Sequence, residues 1–245
     1  LLRWFLCEVL INCGRFREAT DHLRVLLESE PHAQDRILEA LTHIISVDPQ
    51  NVYAREVRAT LFVKMGQMPE ARGDLEVVSR LRPDDERTTQ RLRSVYESIL
   101  AHGEDTEVRF HLGQIYLNCG ELDLALHCFQ KSARDFRHEV QSARAMGKIF
   151  MQKNLFDLAL EEFRRLPMDD ELKETIYQMG RSCEQHGDSA AAYLAYKMIF
   201  VADARYRDTQ QRYEALAAQL SSTPTIAPER TKILGELSEK AKQRY

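Results

Sequence analysis

No run of eighteen apolar residues occurs in the chain, so the sequence predicts no membrane-spanning helix. The apolar opening, LLRWFLCEVLIN, is interrupted by Arg3 and Glu8. It has no basic leader and no small-residue cleavage site, which excludes a signal peptide. It begins at Leu rather than Met, and an excised piece of a longer protein is the expectation. Glycine and proline are scarce, 10 and 7 among 245 residues, while Leu, Ala, Arg and Glu abound; that balance predicts a mostly helical chain. Positive charge is not in excess: the formal net charge is -4, which suits a soluble protein and argues against a general nucleic-acid binder.

Catalytic signatures are also missing. There is no phosphate loop, no GxSxG and no dinucleotide fingerprint, so no enzyme and no cofactor is expected. Eight histidines are scattered without a metal-site spacing and are expected to be exposed surface residues. His127 and Cys128 are adjacent, and on a helix their side chains diverge by about 100°. The five cysteines (Cys7, Cys13, Cys119, Cys128, Cys183) are odd in number and contain no CxxC pair. All lie in apolar helical patterns, which predicts reduced, buried thiols and a cytoplasmic protein. The DDE triplets at 84–86 and 169–171 sit where helices begin, and negative charge is favourable there.

What is present is a layout written repeatedly. Residues 111–134, HLGQIYLNCGELDLALHCFQKSAR, place Leu112, Gly113 and Tyr116 on one helical face, then a helix-ending Gly120, then Ala125 and Phe129 on a second helix. Thirty-four residues later come Met146, Gly147, Phe150, Asn154, Ala159 and Phe163. A third copy follows after 33: Met179, Gly180, Cys183, Gly187, Ala192 and Tyr196. The small residues mark where two antiparallel helices approach closely. Asn154 replaces the helix-ending glycine because Asn tolerates left-handed backbone.

Looser copies cover 1–32, with Cys7 at the small site, and 52–83, where Arg58 occupies the usual large apolar site and Val57 is expected to supply the packing. The intervals 33–48 and 84–101 each have room for one helix, with faces Ile37, Leu41, Ile44 and Leu92, Val95, Ile99. Their pairing is left open. Residues 206–220 read as a capping helix, 221–228 as a linker, and 229–245 as an amphipathic helix with Ile233, Leu234, Leu237 and Ala241 on one side.

The layout resembles the tetratricopeptide repeat, with its W-x2-L-G-x2-Y, A-x3-F and P signature. The resemblance implies an all-α, right-handed superhelical α-solenoid of antiparallel helix pairs. It implies a non-catalytic scaffold that holds a peptide or partner protein in a concave groove. The implied lining positions give Phe110, Gln114, Leu117 and Asn118; Gln141, Arg144, Lys148, Met151 and Gln152; Glu174, Tyr177, Arg181, Glu184 and Gln185. Arg144 and Lys148 are neighbours on one helical face, and Arg181 takes the corresponding place one repeat on. Three cations on one wall suit an acidic peptide or a carboxylate. The carboxylate clamp of chaperone-binding members also needs asparagines, which are not matched. A second reading is a regulatory module of a larger signalling protein such as a bacterial kinase, suggested by the likeness of YKMIFVADARYRDTQQRYEAL to repeat arrays in multidomain bacterial proteins. A homodimer through the last amphipathic helix is the remaining partner expectation, with no nucleic acid and no membrane.

Overall fold

The computed structural model describes residues 2–222. Among them are thirteen α-helices, a single 3₁₀ turn and no strand. The order is α1 (Leu2–Asn12), α2 (Phe16–Ser29), α3 (Gln34–Val47), α4 (Val52–Lys64), α5 (Met68–Leu81), α6 (Glu86–His102), α7 (Thr106–Asn118), α8 (Leu122–Ser132), α9 (Phe136–Gln152), α10 (Phe156–Phe163), α11 (Asp170–Gln185), α12 (Ser189–Ala202) and α13 (Thr209–Ser222). The fold is all-α and built of antiparallel helix pairs, as the repeated layout implied. The amphipathic segment 229–245 and its dimer contact lie outside the described residues. Contacts divide the chain into two compact units, Leu1–Ser142 and Ala143–Tyr245.

Helix ends follow the local chemistry. Asn51, Asp85, Asp105, Asp169 and Asp188 cap helix N-termini by accepting backbone N–H bonds, so both DDE triplets supply caps. Gly14, Gly66, Gly120 and Gly187 have φ between +71° and +75°, and Asn154 stands at φ +57° in the same role. At each of the last three turns, the N–H bonds reach back to close the helix. Gly120 donates to Leu117 and Glu121 to Tyr116; Asn154 donates to Met151 and Leu155 to Phe150; Gly187 donates to Glu184 and Asp188 to Cys183. Tyr206 precedes the capping helix, because Arg207 at φ +47° breaks the chain before Thr209.

In unit 1 the helices alternate between two rows. Along one row α2 lies beside α4, with Arg17 4.8 Å over the Tyr53 ring and Lys64 donating to the Leu27 carbonyl. In the same row α4 lies beside α6, where Arg91 donates to Thr60 Oγ1 at 2.7 Å, and α6 reaches the start of α8 through Arg93 and Glu121. The other row contains α1 beside α3, tied by Arg36 and Glu8 at 2.7 Å, and α5 beside α7, tied by Arg72 and Glu107 at 3.3 Å. The single helices of the two intervals therefore take successive places in the alternation. Ile37, Leu41 and Ile44 are fully buried; Leu92 and Val95 are buried, Ile99 is half-buried, and Tyr96 joins the latter face. The result places α4, which reads as the first helix of a pair, in the row of α2, α6 and α8.

The predicted crossings hold within each unit. A Cβ on Gly113 would stand 3.0 Å from the Phe129 ring; on Gly180 it would stand 2.9 Å from Tyr196. On Gly147 it would drive into the Phe163 ring, 2.7 Å from Cδ1. Ala125, Ala159 and Ala192 are fully buried on the second helices. Two expectations are corrected. Cys13 and Cys119 are exposed, because each follows the last residue of a helix; only Cys7, Cys128 and Cys183 are buried. His138 is not an exposed surface histidine. Its ring stacks on Phe110 at 5.0 Å, and both ring nitrogens are enclosed without a hydrogen-bond partner among the described residues.

Candidate functional site

Among the implied lining positions are the places three residues before the small residue of each first helix and one, four and five after it; Gln141 and Glu174 lie six before it. In unit 1, counted from Gly113, they give Phe110, Gln114, Leu117 and Asn118 on α7. Gln114 and Asn118 are exposed, with Gln114 Oε1 3.3 Å from His111 Nδ1. Gln141, on the part of α9 that belongs to unit 1, is exposed as well. Phe110 is not on this surface: it is buried, edge-on to Phe129 at 5.7 Å and stacked on His138. An aromatic ring at that place is drawn into the apolar contact of α7, α8 and the start of α9.

In unit 2 the wall carries Arg144 and Lys148 on α9 and Tyr177 and Arg181 on α11. Arg144 donates to Asp169 at 2.6 Å and lies 3.0 Å from Glu171; Lys148 donates to Glu171 at 3.0 Å. The Arg144 bond holds the Asp169 carboxyl below the usual carboxylate range and raises the guanidinium in turn. Two of the three predicted cations are thus already matched by two acids, which the sequence reading assigned only to capping. Arg181 is exposed and forms no ion pair among the described residues. Tyr177 is corrected like Phe110. It is buried, its hydroxyl donates to Asp208 at 2.6 Å, and Arg207 lies 4.8 Å over its ring.

A further concavity lies between α1 and α3. Counted from Cys7, the lining positions on α1 are Trp4, Glu8, Ile11 and Asn12. All four border a cavity of about 390 Å³ whose other wall is Arg36, Glu39, Ala40 and His43 of α3. Trp4 is fixed by donating to Glu30 at 2.9 Å, and Arg36 lies 4.2 Å over its ring while pairing with Glu8. Burial pushes the Cys7 thiol up, so the floor stays neutral. Glu39 stands at the rim, exposed and without an ion pair among the described residues. The arrangement has an apolar floor of Cys7, Ile11 and Ala40 under an acidic rim. It can seat an apolar side chain and meet a cation beside it. No group of three or more His, Cys, Asp or Glu able to hold a metal occurs among the described residues.

Residues 106–134, the α7–α8 pair with its Gly113–Phe129 crossing, match the model of the tetratricopeptide repeat family. Residues 106–134 are thus identified as one tetratricopeptide repeat. The units built on Gly147 and Gly180 repeat that layout in its helices, turns and crossings. No curated protein matches. Among solved structures, the chain is similar to YrrB, described as a tetratricopeptide protein with an unusual peptide-binding site, at 14% identity and a TM-score of 0.38 over 79% of this chain and 89% of that one. It is similar to the C-terminal part of a repeat-containing protein from Cytophaga hutchinsonii at 14% identity and 0.39, over 84% and 73%. It is also similar to PilW, a type IV pilus biogenesis factor, at 12% identity and 0.40, over 81% and 97%.

Proposed function

We propose that this tetratricopeptide array is a non-catalytic protein-interaction scaffold that holds a peptide segment of a partner protein. The observation that carries the reading is the α1–α3 cavity, because all four lining positions of the first helix border it. Its apolar floor and the exposed Glu39 favour a segment with an apolar side chain next to Lys or Arg. In unit 2, Arg144, Lys148 and Arg181 form a second contact, suited to an acidic segment. Glu171 is 63% exposed, and surface pairs of this kind contribute only about 0–1 kcal/mol. A carboxylate of the partner can therefore displace it from Arg144 and Lys148 at little cost. Gln114, Asn118 and Gln141 add polar contacts in unit 1. Nothing in the geometry favours the regulatory-module reading over this one.

The test is a capture of partners from lysate with the wild-type chain, followed by rebinding to two variants. Glu39→Lys reverses the rim of the cavity, and Arg144→Glu with Lys148→Glu reverses the wall in unit 2. Loss of binding in either variant, with an unchanged circular-dichroism spectrum, supports the reading. A partner held equally by both variants places the contact elsewhere.

A further inference from the structure

The copies at 52–83 and 106–139 both place an arginine four residues before the small residue of the first helix, where the repeat signature has tryptophan: Arg55 on α4 and Arg109 on α7. Their partners differ. Arg55 meets Asp74 at 2.8 Å, and Asp74 stands three residues after the small Ala71 of α5. The equivalent place on α8, three after Ala125, is Cys128. Arg109 is 8% exposed, and its guanidinium reaches the Cys128 thiol, whose pKa burial raises. The carboxylate it meets is Glu104, from the connection between α6 and α7. Nε and Nη2 of Arg109 both donate to Glu104 Oε2, at 3.0 and 2.6 Å, and the Glu104 side chain is 67% exposed.

Arg109 and Cys128 lie at the floor of a cavity of about 300 Å³ between α6 and α8. Leu100 and Ala101 of α6, Leu112 of α7 and Leu124 of α8 give it apolar walls. Glu97 also borders it, but its Oε1 already accepts from the Tyr116 hydroxyl at 2.8 Å and from Arg93 at 2.9 Å. The cavity shares no residue with the α1–α3 cavity or with the implied lining positions.

We infer that this cavity binds a small organic acid with an apolar body, its carboxylate on Arg109 and its hydrocarbon among Leu100, Leu112 and Leu124. The Arg55–Asp74 pair shows what a guanidinium at this place in the repeat takes: a carboxylate presented from the second helix. On α8 that place holds a thiol, so the carboxylate of a ligand supplies the counterpart. Glu104 is a weak competitor, because an exposed carboxylate can turn to water and surface pairs hold loosely. Lys131, 3.6 Å from Glu104, adds a second cation beside the site. The volume stands at the lower end of the roughly 300–1,000 Å³ range of small-molecule sites, which suits a compact acid rather than a folded segment of a partner.

Calorimetric titration of octanoate into the full chain tests this, with octanol as the neutral counterpart. The expected result is one saturable site for octanoate with a dissociation constant on the order of 100 μM. Octanol should bind at least about tenfold more weakly. Arg109→Gln should weaken octanoate by about tenfold or more. Cys128→Asp rebuilds the arrangement of Arg55 and Asp74, so it should abolish octanoate binding and raise the melting temperature. Both of these positions are buried, so the exposed Glu104→Gln supplies the variant least able to disturb the fold. It removes the competing carboxylate and should tighten octanoate by about threefold. Arg144→Glu with Lys148→Glu should leave octanoate binding unchanged, which separates this site from the protein-binding wall of unit 2. Absence of saturable octanoate binding, equal binding of octanol, or an affinity that neither Glu104→Gln nor Arg109→Gln moves overturns the proposal.

Discussion

Asp74 on α5 and Glu162 on α10 occupy the same place in their units, three residues after the small alanine of the second helix, yet their surroundings are opposite. Asp74 is 2% exposed and receives two arginines of α4: Arg55 at 2.8 Å, and Arg58 at 2.7 and 2.8 Å. Those arginines extend outward, Arg55 to the Pro49 carbonyl and Arg58 to Thr42 of α3. Glu162 has Met146 where Arg58 would be. Its Oε2 is buried without a hydrogen bond among the described residues, with Arg165 only at 3.8 Å, and burial raises its pKa. A carboxylate in this position is therefore an anchor or a burden according to one residue on the facing helix. The two units also close their crossings differently. The α4–α5 pair has Ala59 and the charged cluster, while α9–α10 has Gly147 against the Phe163 ring.

The largest effect is expected at Asp74. Asp74→Ala leaves two mostly buried guanidinium groups without their anion and should cost about 3 kcal/mol, since breaking a buried pair from one side costs roughly 3–5 kcal/mol. Urea unfolding followed by circular dichroism measures it, and a loss below about 1 kcal/mol would show that the cluster is dispensable. Next is Gly147→Ala. The methyl meets a fully buried ring, and overpacking costs about 1–3 kcal/mol against a helix-propensity gain near 1 kcal/mol. Gly113→Ala, with 3.0 Å to its ring, should be nearer neutral. Equal losses at the two glycines would remove the distinction between the crossings.

A smaller effect of opposite sign is expected at Glu162. Glu162→Met should stabilise by about 1 kcal/mol at neutral pH, the order of an unsatisfied buried polar group. The sign follows from its raised folded pKa: folding favours the protonated form, so stability falls as pH rises from the unfolded toward the folded value. Asp169 behaves in the reverse way. Its folded pKa is depressed by Arg144, so its contribution is complete above the ordinary carboxylate pKa and is lost as pH falls through the lower folded value. Melting temperatures of Glu162→Met and Asp169→Asn across pH 3–8 should show the first variant flattening the neutral-side slope and the second flattening the acid-side slope. Parallel curves for the two would contradict the assignment. The smallest change is chemical. At pH 8, iodoacetamide should modify Cys13 and Cys119 readily and spare Cys7, Cys128 and Cys183; burial pushes the Cys183 thiol up to about 12. Modification of all five at one rate in the folded chain would show that the buried positions open freely.

Much of this was legible in the residues. Period, helix ends and the glycine crossings all come from local rules: spacing along one helix, left-handed turns at Gly120 and Asn154, and small residues where axes meet. The site was legible only in part. Phe110 and Tyr177 satisfy the positional rule but are buried, because rings follow the apolar contact rather than the count. The ion pairs of Arg144 and Lys148 with Asp169 and Glu171 join residues more than twenty apart, and charge pattern along one helix does not show them. The α1–α3 cavity follows from the same rule once it is counted from Cys7, a small residue less conspicuous than glycine.

Sequence alone determined the helices, their antiparallel pairing and the places where two backbones touch, since these depend on side-chain size and backbone freedom within about 34 residues. Tertiary structure alone decided that the single helices α3 and α6 enter the alternation and carry α4 into the other row. It also decided which charges cancel. Those outcomes depend on which helix lies beside which, and a pattern read along one helix leaves the neighbour unspecified.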